Sequence, residues 1–262
     1  MNAERMQSLI IPAAGLGIRW KPVSEYLPKE MLPLVDKPVV HYIVREAIES
    51  GFKNIIIVTN KDKKIIRDYF NKQTTLNGID LQFTYQDKPL GIADAMRTAK
   101  KFVNGSFAVM LPDLPTISTV PVILQMKNIY SKMETNSCLI SLSMFPKESL
   151  GLYSNYLSTA KNKNLGIIEH FCSLKNCTEN HGNKNFRLSG KYIFPYETFE
   201  HIEKLKIEKN VGEITDVDLL NQLQKNGYEI YGYKIKGRTY DTGNARAHLR
   251  ANTAFFKHNV RI

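Results

Sequence analysis

Cysteine is scarce in this chain of 262 residues: there are three, Cys138, Cys172 and Cys177. An odd trio makes a poor disulfide framework, so a reduced, cytoplasmic protein is expected. Long apolar runs are missing too. The longest stretches without Asp, Glu, Lys or Arg are 13 residues, at 6–18 and 114–126, and both contain proline. A spanning helix needs about 20 apolar residues, so no transmembrane segment is expected. The polar start Met1–Gln7 lacks the basic end, apolar stretch and cleavage site of a signal peptide. Internal repeats, linkers and low-complexity tracts are absent, and no Ser-His-Asp or Cys-His arrangement can be identified. What is present is an ordinary globular composition, 43% hydrophobic and 23% charged. A chain of this length buries about 70–75% of its unfolded surface as one domain.

Negative charge is the minority. Lys and Arg number 36 against 25 Asp and Glu, a formal net charge of +11. That surplus suits an anionic partner: nucleic acid, a membrane surface or a phosphorylated small molecule. No basic run, aromatic–basic repeat or nucleic-acid motif accompanies it, so neither nucleic acid nor membrane is expected as a partner.

Apolar periodicity gives alternating strands and helices. Strands are read at Ser8–Pro12, Asn54–Thr59, Leu81–Tyr85, Phe107–Leu111, Cys138–Ser143, Leu165–Ile168, Phe186–Phe194 and Tyr228–Ile235. Helices are read at Val39–Ser50, Lys61–Phe70, Ile92–Val103, Val120–Met133, Tyr196–Lys204, Val217–Lys225 and Ala245–Lys257. The alternation predicts an α/β fold whose mostly parallel sheet is covered on both faces. Ligands of such sheets bind at the carboxyl ends of the strands. Three segments fall there: after Pro12, after Leu111 and after Tyr240.

The first is Pro12-Ala13-Ala14-Gly15-Leu16-Gly17-Ile18-Arg19. Small residues let backbone N–H groups approach phosphate oxygens. Trp20 and the missing third glycine exclude the dinucleotide fingerprint, and the absence of Gly-Lys-Ser/Thr excludes a P-loop. Pro22, Pro28, Pro33 and Pro38 forbid one long helix afterwards. Composition leaves two readings even: a phosphate loop served by Arg19 and Lys29, or a tight turn with two surface cations. Asp113 and Asp241 end the other two segments. They could share one Mg²⁺ or simply cap helices. His170, Cys172, Cys177 and His181 could hold zinc, although an incidental loop fits their spacing better.

The glycine loop followed by Leu27-Pro28-Lys29-Glu30-Met31-Leu32-Pro33-Leu34-Val35-Asp36-Lys37-Pro38 resembles the bacterial UTP–glucose-1-phosphate uridylyltransferases. The likeness is strongest over the first 60 residues and weakest at 145–210. It implies a three-layer α/β/α Rossmann-like nucleotidyltransferase fold with a mixed, mostly parallel central sheet. One domain, 1–262, is implied, with a nucleotide-binding part at about 1–115 and a sugar-binding and C-terminal part at about 116–262. The implied reaction joins UTP and glucose-1-phosphate, with Mg²⁺, into UDP-glucose and pyrophosphate. Another sugar-1-phosphate, dTTP, or a degenerate homologue with weak turnover are the alternatives.

The resemblance also assigns residues. Ala13, Ala14, Gly15 and Gly17 would hold the nucleotide, Arg19 and Lys29 its triphosphate. Gln86 and Gly91, in Gln86–Ala95, match the segment that reads the base. Asp113 and Asp241 match the metal-binding aspartates, so that Arg19, Lys29 and Asp113 form the catalytic set. Glu169, His170 and Gly190 fall at the sugar site. Asp218 is read as structural. A homodimer or homotetramer is implied. Two departures stand out. Ile18 replaces the family threonine, and Glu169-His170-Phe171 replaces Glu-Lys-Pro, exchanging a fixed cation for a partly protonated histidine.

Overall fold

Continuous apolar, largely β-branched runs build the centre of the molecule, because a strand covered on both faces needs apolar side chains on both. The computed structural model describes residues 6–73, 76, 78–134, 136–145, 155–160, 164–172, 186–209 and 212–259. The strands are β1 Ser8–Pro12, β2 Pro33–Leu34, β3 Lys37–Pro38, β4 Asn54–Thr59, β5 Asp80–Tyr85, β6 Phe107–Met110 and β7 Thr116–Ile117. They continue as β8 Ser137–Met144, β9 Asn155–Ala160, β10 Leu165–Cys172, β11 Phe186–Phe194, β12 Glu229–Lys234 and β13 Arg238–Thr239. The helices are α1 Val39–Glu49, α2 Lys64–Asn71, α3 Ile92–Ala99, α4 Val122–Tyr130, α5 Thr198–Lys209, α6 Asp216–Lys225 and α7 Ala245–Asn259.

Among the described residues nine strands form one sheet in the order β5-β4-β1-β6-β11-β8-β12-β10-β9. Only β11 and β10 run against the other strands, so the sheet is mixed and mostly parallel, as expected. Side chains alternate between two cores. Ile10, Ile56, Val58 and Val109 meet Ala95, Phe199 and Leu220 of α3, α5 and α6. Leu9, Ile11, Ile55, Ile57 and Met110 meet Ile43, Ile66 and Met126 of α1, α2 and α4. Helices therefore cover both faces, giving the three layers.

Helix starts follow local chemistry. The side chain of Asn60 accepts from the N–H groups of Asp62 and Lys63, so α2 begins at Lys64 and not at Lys61. Pro121 sets the start of α4 two residues later than Val120. At α6, Thr215 and Asp218 form a reciprocal capping box, which bears out the structural reading of Asp218. Among the described residues no helix is long and apolar enough to cross a membrane.

Because β1, β4, β5 and β6 are parallel, their carboxyl ends reach one edge. The segments after Pro12, Thr59, Tyr85 and Met110 therefore meet there. The small antiparallel ribbon of β7 and β13 brings residues 238–242 to the same edge.

Candidate active site

The glycine loop leaves β1 as an extension of the sheet: Ala13 N–H donates to the Val58 carbonyl at 2.6 Å. From Ala14 to Arg19 the pattern changes. None of these six backbone N–H groups has a protein acceptor among the described residues. Pro12, Ala14, Gly15, Leu16, Gly17, Ile18 and Arg19 line one wall of a cleft of about 390 Å³. Ala13 lies beneath it, fully buried, with its carbonyl taken by Lys63 Nζ at 2.9 Å. Its backbone polar groups are thus committed to the fold.

Lys63 was not visible as a site residue in the sequence. Its ammonium also donates to the Gly15 carbonyl at 2.6 Å and to Glu30 Oε2 at 2.9 Å. Burial pulls the Lys63 pKa below its ordinary value, against the opposing pull of Glu30. The Pro-Lys-Glu stretch is thereby divided: Lys29 lines the cleft, while Glu30 is fully buried as the counter-charge of Lys63.

Lys29 Nζ meets Asp113 Oδ2 at 2.6 Å. Burial opposes charge on both partners, yet each stays ionised. The Asp113 carboxyl is held below its ordinary pKa by Lys29 and Arg19, which outweigh burial. The Lys29 ammonium is held above its own by Asp113 and Glu30. Asp241 is joined to this pair through the backbone. The adjacent Thr242 donates its N–H and its hydroxyl to the Asp113 carbonyl, both at 3.0 Å. Asp241 Oδ1 accepts from Gly243 N–H at 2.6 Å. Gly243 also sits against Arg19, whose Nη2 lies 2.6 Å from where a Cβ would stand. Trp20 Nε1 ties the loop to the Thr242 carbonyl at 2.9 Å. Arg19, Lys29, Asp113 and Asp241, up to 222 positions apart in sequence, thus converge.

At the other end of the cleft lies Gln86, 4% exposed. Its amide nitrogen donates to the Gly91 carbonyl at 3.0 Å and to Asp94 Oδ2 at 2.9 Å. Two acceptors at one end fix the amide orientation and leave the carbonyl oxygen for a ligand. Gly91 has φ +92, and a Cβ there would lie 2.8 Å from the backbone nitrogen of Ile214. Glycine is required for this contact, which closes the cleft floor. Glu213 also lines the cleft, a second residue the sequence did not single out.

The expected sugar residues lie on two strands, Glu169 and His170 on β10 and Gly190 on β11. Gly190, at φ +76, packs against Leu111 and Leu114 beside Asp113, and its carbonyl accepts from Leu111 N–H at 2.8 Å. Glu169 is on β10, four strands from β6, or roughly 19 Å at ordinary strand spacing. Its carbonyl meets Gln224, at the far end of α6 from the Ile214 contact with Gly91. For His170 and Cys172 only the backbone is described, and Cys177 and His181 lie outside the described residues. Among the described residues no cluster of three or more His, Cys, Asp or Glu side chains is placed to hold a metal ion.

This geometry has relatives. The nucleotidyl transferase family model matches residues 8–143. The UTP–glucose-1-phosphate uridylyltransferase of Bacillus subtilis (strain 168) is 32% identical, over 92% of this chain and 87% of its own length. That of Staphylococcus epidermidis (strain ATCC 35984) is 30% identical, over 92% and 88%. A solved UDP-glucose pyrophosphorylase complexed with UDP-glucose superposes with a TM-score of 0.81 at 28% identity, covering 97% of this chain and 99% of that one. The apo form of a UDP-glucose pyrophosphorylase gives 0.83 at 26% identity over the same shares. With the glycine loop, the Lys29–Asp113 pair and these matches in place, the chain belongs to the nucleotidyl transferase family.

Proposed function

We propose that this chain transfers a uridylyl group from UTP to glucose-1-phosphate, releasing pyrophosphate and leaving UDP-glucose. One observation carries the reading: six backbone N–H groups, Ala14 to Arg19, without a protein acceptor among the described residues, share a cleft with Lys29 and with the fixed amide of Gln86. The relatives named for this reaction support it. Uracil has an imide N–H flanked by carbonyls, and the Gln86 oxygen supplies the acceptor that N–H needs. The loop N–H groups, Arg19 and Lys29 take the phosphates.

A sugar phosphate is already largely dianionic near neutral pH, because the second ionisation of a phosphate monoester lies near pH 6. Its oxygen attacks the α-phosphorus in line and pyrophosphate leaves, so the chain needs no general base. The protein's part is positioning and charge stabilisation. Lys29 and Arg19 offset charge on the transferring phosphoryl group, and the loop N–H groups hold the departing phosphates. Asp113 and Asp241 fit a divalent cation, which we assign as Mg²⁺. They are hard oxygen donors on adjoining loops, Asp113 is held ionised, and Mg²⁺ takes few protein ligands beside water and phosphate. Bound there, the ion supplies further charge neutralisation at the phosphate oxygens.

A second reading keeps the chemistry and changes the sugar. It is favoured by His170 in place of the family lysine. Both readings are tested by measuring pyrophosphate release with UTP, Mg²⁺ and a panel of sugar-1-phosphates. Release with glucose-1-phosphate supports the first, and release only with another sugar supports the second. No release with any sugar sinks both.

A further inference from the structure

The strongest unassigned feature is the buried ammonium under the glycine loop. Lys63 comes from the β4–α2 connection, is 8% exposed, and makes three bonds: to the carbonyls of Ala13 and Gly15 and to Glu30 Oε2. The first two have a geometric consequence. In a planar trans peptide the C=O of one residue and the N–H of the next point in opposite directions. Drawing the Ala13 carbonyl inward therefore turns the Ala14 N–H outward. Drawing the Gly15 carbonyl inward does the same for the Leu16 N–H. Ala14 and Leu16 both line the cleft, and neither N–H has a protein acceptor among the described residues.

We infer that Lys63 is a positioning residue of the nucleotide site: its ammonium sets two peptide groups of the loop so that their N–H donors face the phosphates. Glu30 completes the device. It balances the buried charge, and it holds Lys63 to the segment carrying Lys29, its own sequence neighbour. One buried ion pair thus sets the loop and the triphosphate-binding lysine relative to each other. Lys63 itself touches no substrate atom and acts only through the loop. Without it, the two carbonyls lose their donor and are free to rotate toward the cleft. There they would present oxygen to an anion.

The inference rests on the uridylyl-transfer reading only for the identity of the nucleotide. It is tested on the full chain with Lys63→Met and with the double variant Glu30→Leu/Lys63→Met. The double variant removes both buried charges together and so leaves no unpaired carboxylate. Thermal unfolding reports folding. Binding of UTP and of uridine is measured separately, the latter by saturation-transfer NMR. Losing one or two N–H-to-phosphate bonds predicts UTP binding weaker by about 30-fold, while uridine binding stays within about threefold of the parent. A general collapse of the site would weaken both alike and would overturn the inference. So would a folded double variant that binds UTP as the parent does. If neither variant folds, Lys63 serves the whole fold and the assignment fails. A parent that binds dTTP in place of UTP overturns the uridylyl reading alone. The variants are then judged by the same criteria on dTTP and thymidine.

Discussion

Lys29, which lines the cleft, and Asp113 hold opposite charges 2.6 Å apart, and this fixes how the site responds to pH. Asp113 is shifted below its ordinary value: burial pushes it up, but Lys29 and Arg19 prevail. A carboxylate shifted down on folding contributes stability above its unfolded pKa, about 3.9, and loses it as pH falls through the lower folded value. Lys29 is shifted up, Asp113 and Glu30 overcoming burial. Its contribution is present below its unfolded pKa of about 10.4 and is lost as pH rises through the higher folded value. Between those limits both stay charged. The expected profile of kcat/KM from pH 5 to 9.5 therefore has one acid limb near pH 6, set by the phosphate of the sugar substrate. Above it the profile is flat. A second inflection between pH 7 and 9 would mean that a protein group must change its protonation, against a mechanism without a general base.

At the scale of elements, the Asp113 loop is held by a second buried lysine. Lys191, on β11 and 1% exposed, donates to Thr116 Oγ1 at 2.6 Å and to the Leu114 carbonyl at 3.3 Å. Glu46 of α1 lies 3.5 Å from it and also accepts from Ile123 N–H at the start of α4. One side chain thus joins β11, α1 and β7 around Asp113. Replacing it strands a buried carboxylate, so Lys191→Met should destabilise the fold by about 3 kcal/mol in urea unfolding. It should also lower kcat at least tenfold while leaving UTP binding unchanged. A variant with full kcat would show that the loop holds its shape without this anchor. No local pattern announces the ion pairs of Lys191 and Lys63, because their partners lie 145 and 33 positions away. The same limit explains what was legible elsewhere. The cores of β1, β4, β6 and α1 were readable because their apolar periodicity is local. Arg19, Lys29 and Asp113 were readable because a distinctive motif surrounds the first two and a buried strand precedes the third. The ribbon of β7 and β13 was not, since two-residue strands more than 110 positions apart carry no periodicity. Strand order was not legible either, and it is strand order that puts Glu169 four strands from β6.

For the whole molecule the question is what a net charge of +11 does. Lys63 and Lys191 are paired internally with Glu30 and Glu46, so they add little to the outer field. Exposed pairs such as Lys21–Glu25 and Arg45–Glu49 are locally neutral and worth about 0–1 kcal/mol each. Arg19 and Lys29 are cations close to the cleft, and the remaining surplus acts only as a diffuse field around it. Such a field raises the local concentration of an anionic nucleotide without touching it. Its reach is the Debye length, which shrinks from about 10 Å at 0.1 M salt to about 3 Å at 1 M. The short contacts proposed between phosphate and the loop N–H groups and Lys29 would be far less affected than this long-range attraction. Raising KCl from 0.1 to 1 M at saturating Mg²⁺ should therefore raise KM for UTP several-fold and leave kcat within about twofold. A steep fall in kcat would place the sensitivity in the Lys29–Asp113 pair. An unchanged KM would show that the surplus lysines do nothing for the cleft and serve solubility alone.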